Sequence, residues 1–546
     1  MLNGPIESIA GAAMILGATS LASKILGVLR NRILAGLFGA GDVLDSYYAA
    51  FRFPDLIFNL VVLGALSAGF IPIFAELLER RKKTNQDGQT SYGIGPWEFT
   101  ASVFNLTLVA LAALSLFFVV FADKIIPLMT PGFSPAKQAM TVMLSRWMAL
   151  SPILLGVSAV FSGVLQTYRY FLIYSLAPLF YNLGIIAGAW FLTPIFGPVG
   201  LAFGVIAGAF LHMAIQMPPS LALGFRFSRL FYLKDEAIKK IGKLMVPRVL
   251  SLAVSQFNFL AMTFVGSVLA SGSIAIFNFA NDIQSFPLGL FSISLAVAAF
   301  PALSALAAAR DKENFRRSFQ KTASLILFLT VPAALLLLLL RAQIVRVLLG
   351  WGQFDWSDTI GTADTVAFFS LSLFAQGLLP LLARAFYALH DTWRPFLISL
   401  FSSLVNIVLA FWLRDLMGVA GLALAFSVGA VLNAALLWIF LRFKIGPLGE
   451  SELVWSILKL SGAIVVMAAA VQLMKNLVAP LVDMRAFWGV FVQGFVATVV
   501  GLGVFILLSW LFKNKEMLFL VDSFRRKFFK KKEVKGLEEE GGVGSV

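Results

Sequence analysis

The chain has 546 residues, of which 59% are hydrophobic and 13% charged, and its mean hydropathy is +0.89, more apolar side chain than a water-soluble fold can hide. Its 43 Lys and Arg against 28 Asp and Glu give a formal charge of +15, yet the cations cluster in short breaks between apolar runs, which excludes a nucleic-acid binder. Cysteine is absent and histidine occurs only as His212 and His390, so disulfides and thiolate chemistry are excluded and almost nothing remains from which to build a metal centre or a hydrolase triad.

The N-terminal MLNGPIESIAGAAMILGATSLASK has no cation before Lys24, so it reads as part of the mature protein and not as a secretory signal. Apolar runs long enough to cross a hydrocarbon core of roughly 30 Å as helices recur along the whole chain. Cutting at charged or Gly/Pro-rich breaks predicts fourteen spans, at 7–38, 44–78, 98–122, 138–166, 171–192, 199–222, 240–268, 273–307, 322–340, 360–388, 395–412, 418–440, 453–474 and 487–511. The first, second and eighth exceed 30 residues and must tilt, bend or continue outside the bilayer.

With the N-terminus inside, 28 of the 43 cations fall in inside loops and the tail, and only 7 (Lys124, Lys137, Arg341, Arg346, Arg414, Lys475, Arg485) in outside loops. That asymmetry predicts an even number of spans with both termini cytoplasmic. Eight cations remain within or at the ends of spans: Lys24, Arg30, Arg32, Arg52, Arg146, Arg248, Arg384 and Lys459. A charge at membrane depth either snorkels to a headgroup layer or faces a wet cavity. Arg32, Arg146 and Lys459 lie near span ends and fit the first; Lys24, Arg30 and Arg52, together in the first two spans among apolar neighbours, fit the second.

An internal repeat is visible. LQTYRYFLIYSLAPLFYNLGIIAGAWFL followed by GPVGLAFGVIAGAFL is echoed by LHDTWRPFLISLFSSLVNIVLAFWL followed by MGVAGLALAFSVGAVL. Arg169 answers Arg394, Asn182 answers Asn406, and Gly200-Leu201-Ala202 answers Gly421-Leu422-Ala423. An even number of spans separates the copies, so both run the same way, which is the parallel-repeat plan of a transporter. In the eighth span Asn278, Asn281, Asp282 and Ser285 share one helix face, with a bend expected at Pro287 and Gly289; this stripe reads either as a structural hydrogen-bonding face or as a proton or cation coupling site. The tail carries RRKFFKKKEVK, a basic topology anchor able to attract anionic lipid, and ends in GLEEEGGVGSV, which reads as disordered.

The stretch SKILGVLRNRILAGLFGAGDVLDSYYAAFRFPDL, then GALSAGFIPIFAE, PGF at 131–133, RYFLIYSLAPLFYN, MVPRVLSLAVSQFNFL, FNFANDIQSFPLG and ARAFYALHDTWRP together resemble the MurJ (MviN) family of lipid II flippases, within the multidrug/oligosaccharidyl-lipid/polysaccharide exporter superfamily. The resemblance covers most of spans one to twelve. It implies an all-α polytopic membrane protein with two six-helix lobes around a central cavity, at 1–225 and 226–445, then spans thirteen and fourteen at 446–512 forming a groove for a lipid tail, and a basic tail at 513–546. It implies a multi-pass location in the bacterial cytoplasmic membrane, outward movement of an undecaprenyl-pyrophosphate-linked saccharide-peptide by alternating access, and membrane lipids and cell-wall synthesis machinery as partners. No cofactor and no covalent chemistry are implied; a monovalent cation or the membrane potential would drive the cycle.

Carried over residue by residue, the resemblance makes Lys24 and Arg30 cavity cations and Asp45 the acid of the family's second-span motif. With Arg52 and Arg248 they form the expected substrate-binding set, because arginines suit a pyrophosphate. Asn278, Asp282 and Asp391 form the expected coupling or conformational set. The chain departs from the family at Phe58 and Leu63, where many members carry an Arg and a Glu, and at Asp282, where many carry an Arg. Two other readings are an exporter of a different lipid-linked oligosaccharide or of drugs, and a non-transporting scaffold for cell-wall enzymes.

Overall fold

The computed structural model describes residues 9–63, 69–87, 94–229 and 231–528, and every regular element among them is helical. In chain order the helices are α1 (Ile9–Phe38), α2 (Asp42–Phe58), α3 (Ile71–Asp87), α4 (Pro96–Met129), α5 (Pro135–Met148), α6 (Ser151–Thr167), α7 (Phe171–Ala187), α8 (Thr193–Phe196), α9 (Val199–Ala222) and α10 (Glu236–Ser267). They continue as α11 (Ser273–Pro287), α12 (Ser294–Ala308), α13 (Lys312–Leu339), α14 (Arg341–Leu349), α15 (Trp356–Ser370), α16 (Leu373–Ala388), α17 (Trp393–Ile445), α18 (Glu450–Val478), α19 (Phe487–Leu511) and α20 (Lys515–Phe528). The terminal GLEEEGGVGSV lies outside the described residues.

The fold is that of a polytopic all-α membrane protein. Among the described residues nine helices are long and apolar enough to cross a bilayer, ten if the bent pair α15 and α16 is one span. The difference from fourteen has local causes. The 53-residue α17 contains a left-handed break at Gly418 (φ 57, ψ −136), between the two spans expected there. The second expected span begins with the 17-residue α2, which runs into a π-helical segment at Asn59–Leu63.

In the long eighth span a π-helical segment, Leu288–Ile293, follows Pro287, where a bend is expected. Similar segments follow α2 at Asn59–Leu63 and α7 at Gly188–Leu192. Such segments free a backbone carbonyl and re-aim the side chains beyond it.

The repeat survives in the backbone and its register is sharper than charge matching gives. Gly197 (φ 61, ψ −149) opens α9 as Gly418 opens the second half of α17. Ahead of each copy the Tyr170 amide donates to the Leu165 carbonyl at 2.8 Å and the Asp391 amide to the Phe386 carbonyl at 3.0 Å, with Arg169 and His390 at left-handed φ of 64° and 56°. The counterpart of Arg169 is therefore His390, not Arg394. The left-handed residue that ends a helix is fixed by backbone geometry, whereas an exposed arginine can shift by several positions at no cost.

Contacts divide the chain into two compact units, one of 1–282, 348–365 and 396–429, the other of 283–347, 366–395 and 430–546. The first is centred on buried aromatic rings including Phe70, Phe74, Phe99, Phe118 and Phe161. The second includes a cluster of Phe328, Leu460, Met467, Val471 and Phe505, joining α13, α18 and α19. In the first unit α7 and α9 cross with backbones in contact: a Cβ on Gly204 would lie 2.7 Å from the Gly188 Cα, and one on Gly184 would overlap the Gly208 backbone. Small residues at four-residue spacing permit this approach within a membrane. Gly204→Leu is expected to force the helices apart at a cost of about 3 kcal/mol or more, measured as a lowered unfolding midpoint and loss of monodisperse protein; Gly503→Leu, whose added Cβ meets nothing within 4 Å, serves as the silent control.

Candidate functional site

Within the first unit, α1, α2, α7, α10 and α11 bring two arginines into one polar cluster. Arg30 on α1 donates from Nη1 to Asn182 Oδ1 at 3.1 Å, and from Nε and Nη2 to Asn31 Oδ1 at 3.2 and 3.0 Å. Asn31 Nδ2 in turn donates to Asp282 Oδ2 on α11 at 2.7 Å, and that oxygen lies 3.9 Å from Arg30 Nη2. Asn31 is thus a bridge between cation and anion.

Arg52 on α2 donates from Nε to Thr263 Oγ1 on α10 at 2.8 Å and from Nη2 to Asn278 Oδ1 on α11 at 2.7 Å. Its guanidinium also lies 5.3 Å from the Phe259 ring centre. Asp55, one turn beyond Arg52, interacts electrostatically with both arginines. Tyr47, Tyr48 and Tyr181 lie in the neighbourhood of Arg30.

The chemistry is that of anion recognition. The guanidinia are held mainly by amides and a hydroxyl, which orient them without neutralising them. At the Arg30–Asp282 pair the side chains are 24% and 44% exposed, so neither is fully enclosed by protein. Two rigid forks with open donors match the oxygens of a phosphate or pyrophosphate.

A second constellation lies at the cation-poor end of the same helices. Asp45 on α2 is 2% exposed. It accepts from Lys137 Nζ at 2.8 Å, from the Gly272 amide at 2.7 Å and from the Ala275 amide at 2.9 Å. The last two donors are at the N-terminus of α11, so Asp45 caps a helix more than 200 residues away in sequence, where a carboxylate is favoured. Lys137 Nζ also reaches Asp42 at 2.7 Å, and Ser271 donates to the same carboxylate at 2.6 Å. Those hydrogen bonds hold the Asp42 carboxyl below the usual carboxylate range.

Backbone closeness seals this seam. Gly272 (φ +88) lies against the Ala40 carbonyl, Trp351 Nε1 donates to the Arg32 carbonyl at 2.6 Å, and the Ala40 amide donates to Asp358 at 2.9 Å. The seam thereby joins the end of α1 to the start of α11 and to the segment from Trp351 to Asp358, all within the first unit.

Of the expected substrate set, the structure brings Arg30 and Arg52 together. Lys24 sits on α1 about six residues, roughly 9 Å, before Arg30, half-buried. Asp45 belongs to the latch, with both carboxylate oxygens engaged by protein donors. Arg248 lies on α10, but its side chain is outside the described residues. Of the conformational set, Asn278 and Asp282 join the arginine cluster. Asp391 lies elsewhere, in the turn before α17, bonded to Lys444 at 2.7 Å and Arg394 at 3.0 Å; burial raises its affinity for a proton, but those cations outweigh it and hold the carboxyl below its ordinary range.

Sequence reading missed Asn31, Asp55, Thr263 and Lys137. Asp55 carried a signal, an acid three residues after Arg52 at membrane depth; Lys137 carried none, being one of several loop cations. Among the described residues no group of His, Asp or Glu is placed to hold a metal ion.

Comparison with known proteins gives a consistent result. A probable lipid II flippase MurJ of Vibrio cholerae is 29% identical over 502 residues, 90% of this chain and 94% of that one. The lipid II flippase MurJ of Burkholderia cenocepacia is 28% identical over 441 residues, 79% and 83% of the two chains. Among solved structures, a lipid II flippase MurJ in an inward closed conformation superposes with a TM-score of 0.74 at 23% identity, covering 91% of this chain and 98% of its own. A multidrug resistance MATE family transporter of the MOP superfamily, inward-facing, gives 0.65 at 15% identity over 78% and 96%. The sequence model of the lipid II flippase MurJ family matches residues 34–492, and the chain belongs to that family.

Proposed function

We propose that this chain moves lipid II, an undecaprenyl-pyrophosphate-linked saccharide-peptide, from the inner to the outer leaflet of the bacterial cytoplasmic membrane, without covalent chemistry. Family membership supports the substrate. The observation that carries the reading is the pair Arg30 and Arg52, each oriented by amides or a hydroxyl from Asn31, Asn182, Thr263 and Asn278. Cations at this depth oppose a cationic drug and favour an anionic headgroup.

In this reading Asp282 occupies the place of the ligand. An incoming pyrophosphate competes for Arg30 and Asn31 and releases Asp282, and with it α11 and the π-helical segment that follows. The Asp45–Lys137–Asp42 latch holds the outer end shut until that release. The arriving anion supplies the differential contact that moves the equilibrium; a monovalent cation or the membrane potential sets its direction. The lobes would be 1–225 and 226–445, with 446–512 taking the lipid tail and the tail at 513–546 cytoplasmic. The reading is tested by rescue of a strain depleted of its own lipid II flippase: growth supports it, and lysis despite normal membrane insertion contradicts it.

Asp282→Asn keeps a hydrogen-bond partner for Asn31 but removes the competing charge. Binding of an undecaprenyl pyrophosphate analogue is expected to tighten several-fold while transport slows; weaker binding would show that Asp282 contacts the substrate directly.

Orientation has a clean test because the chain lacks cysteine. A cysteine at exposed Ser134 should react with an impermeant thiol reagent in intact cells and one at exposed Lys234 should not. The reverse pattern would invert the assignment of inside and outside.

A further inference from the structure

The second unit contains a cavity of about 790 Å³ at its cation-rich end, between α13, the start of α18 and α20. It is lined by Arg316, Arg317, Lys321, Lys459 and Lys515 against two carboxylates, Glu313 and Glu516. Both carboxylates are engaged: Glu313 accepts from Arg316 at 2.6 Å and pairs with Arg317 at 3.0 Å, and Glu516 accepts from Ser456 at 2.8 Å. The excess of cations therefore faces the cavity. A second observation is independent of charge. Asn514 lines the same cavity, is 3% exposed, and neither its Nδ2 nor its Oδ1 has a hydrogen-bond partner. Such groups are rare in folded proteins and point to a missing partner.

We infer that this cavity is a binding site for a phosphate group, separate from the Arg30–Arg52 cluster. Five cationic side chains suit a phosphate by charge-assisted hydrogen bonds, the buried Asn514 amide supplies a neutral donor, and Asn514 immediately precedes α20, whose N-terminal amides favour an anion. Two sources present that group, the headgroup of an anionic phospholipid and a free phosphate ion. The rim suits the lipid: Trp455 is 67% exposed and Phe519 40%, and Lys321 Nζ lies 4.2 Å from the Phe519 ring centre. An apolar rim beside a basic cavity is the pattern of a site at the membrane interface. Neither α20 nor this cavity is needed for the transport reading, so the site stands or falls separately from it.

The test uses the full chain purified in a neutral detergent. Native mass spectrometry with phosphatidylglycerol and phosphatidylcholine should show phosphatidylglycerol retained preferentially. Lys321→Gln with Lys459→Gln should weaken its retention at least about tenfold, and Asn514→Leu should weaken it several-fold, while Arg80→Gln with Lys240→Gln, on α3 and α10, should leave it unchanged. In a parallel arm, inorganic phosphate at constant ionic strength should raise the unfolding midpoint if the natural source is the free ion, and this rise should vanish in the same lysine variant. Binding of either probe with that mutational dependence supports the site and names its source. Phosphatidylglycerol retained equally by wild type and the lysine variant, or no binding of either probe, overturns it. If the double variant does not fold, Lys459→Gln alone, at an exposed position, carries the test.

Discussion

Replacing Arg30 by alanine abolishes complementation of a flippase-depleted strain while the protein still inserts and accumulates normally. Arg30 holds its place through hydrogen bonds to Asn182 and Asn31, and the alanine removes the fork while leaving those two amides in place. Hydrogen bonds from a charged donor contribute about 1.5–3 kcal/mol each. Loss of one to a pyrophosphate predicts headgroup binding weaker by roughly 10- to 160-fold, measured by titration with an undecaprenyl pyrophosphate analogue. Arg32→Ala is the comparison: its backbone carbonyl, which accepts from Trp351, is kept, so the effect should be mild. Full activity of both variants would reduce Arg30 to a snorkelling residue.

Lys137→Met opens the outer end. Asp45 is almost fully buried and is neutralised by Lys137, with two helix amides as further partners. Removing the partner of a buried ion pair costs about 3–5 kcal/mol, and because the latch joins distant segments within the first unit, the cost falls on the closed arrangement. A shift of that size moves a two-state equilibrium by more than about a hundredfold. The readout is a cysteine at Ala275, which is fully buried at the seam; it should be inert to an impermeant thiol reagent in the parent and reactive in Lys137→Met. Adding Asp45→Asn removes the stranded charge and should restore protection in part. Unchanged labelling of the Ala275 cysteine would show that the latch does not govern access.

What the sequence disclosed and what it withheld follow from range. Apolar length, the loop cations and the Gly and Pro positions are local signals, and they placed most of the helices, the break at Gly418 and the irregular segment after Pro287. The arginine cluster was half legible: Arg30, Arg52, Asn278 and Asp282 stand out because charge and amide are costly at membrane depth. Their pairing was not, since Arg52 meets Asn278 and Asn31 meets Asp282 across more than 220 residues. Asp45 shows the limit most clearly. As an acid in a family motif it reads as a ligand to substrate, but its partners are the amides of another helix and a lysine in the first turn of α5, and no local pattern specifies those. Asp391 shows the same limit: it sits in a conspicuous motif, but its bonds to Arg394 and, across more than 50 residues, to Lys444 were not legible in it.

The most direct test of the central claim is transport in vesicles that contain only this protein. Lipid II bearing a fluorescent headgroup is reconstituted with the purified chain, and an impermeant reductant is added to quench the outer leaflet. Wild type should convert the protected half of the signal into a slowly quenched phase, Arg30→Ala should leave it protected as in protein-free vesicles, and phosphatidylglycerol with the same label should stay protected throughout. Lipid II that remains protected with the wild-type protein, or that crosses equally fast with Arg30→Ala, would contradict the account.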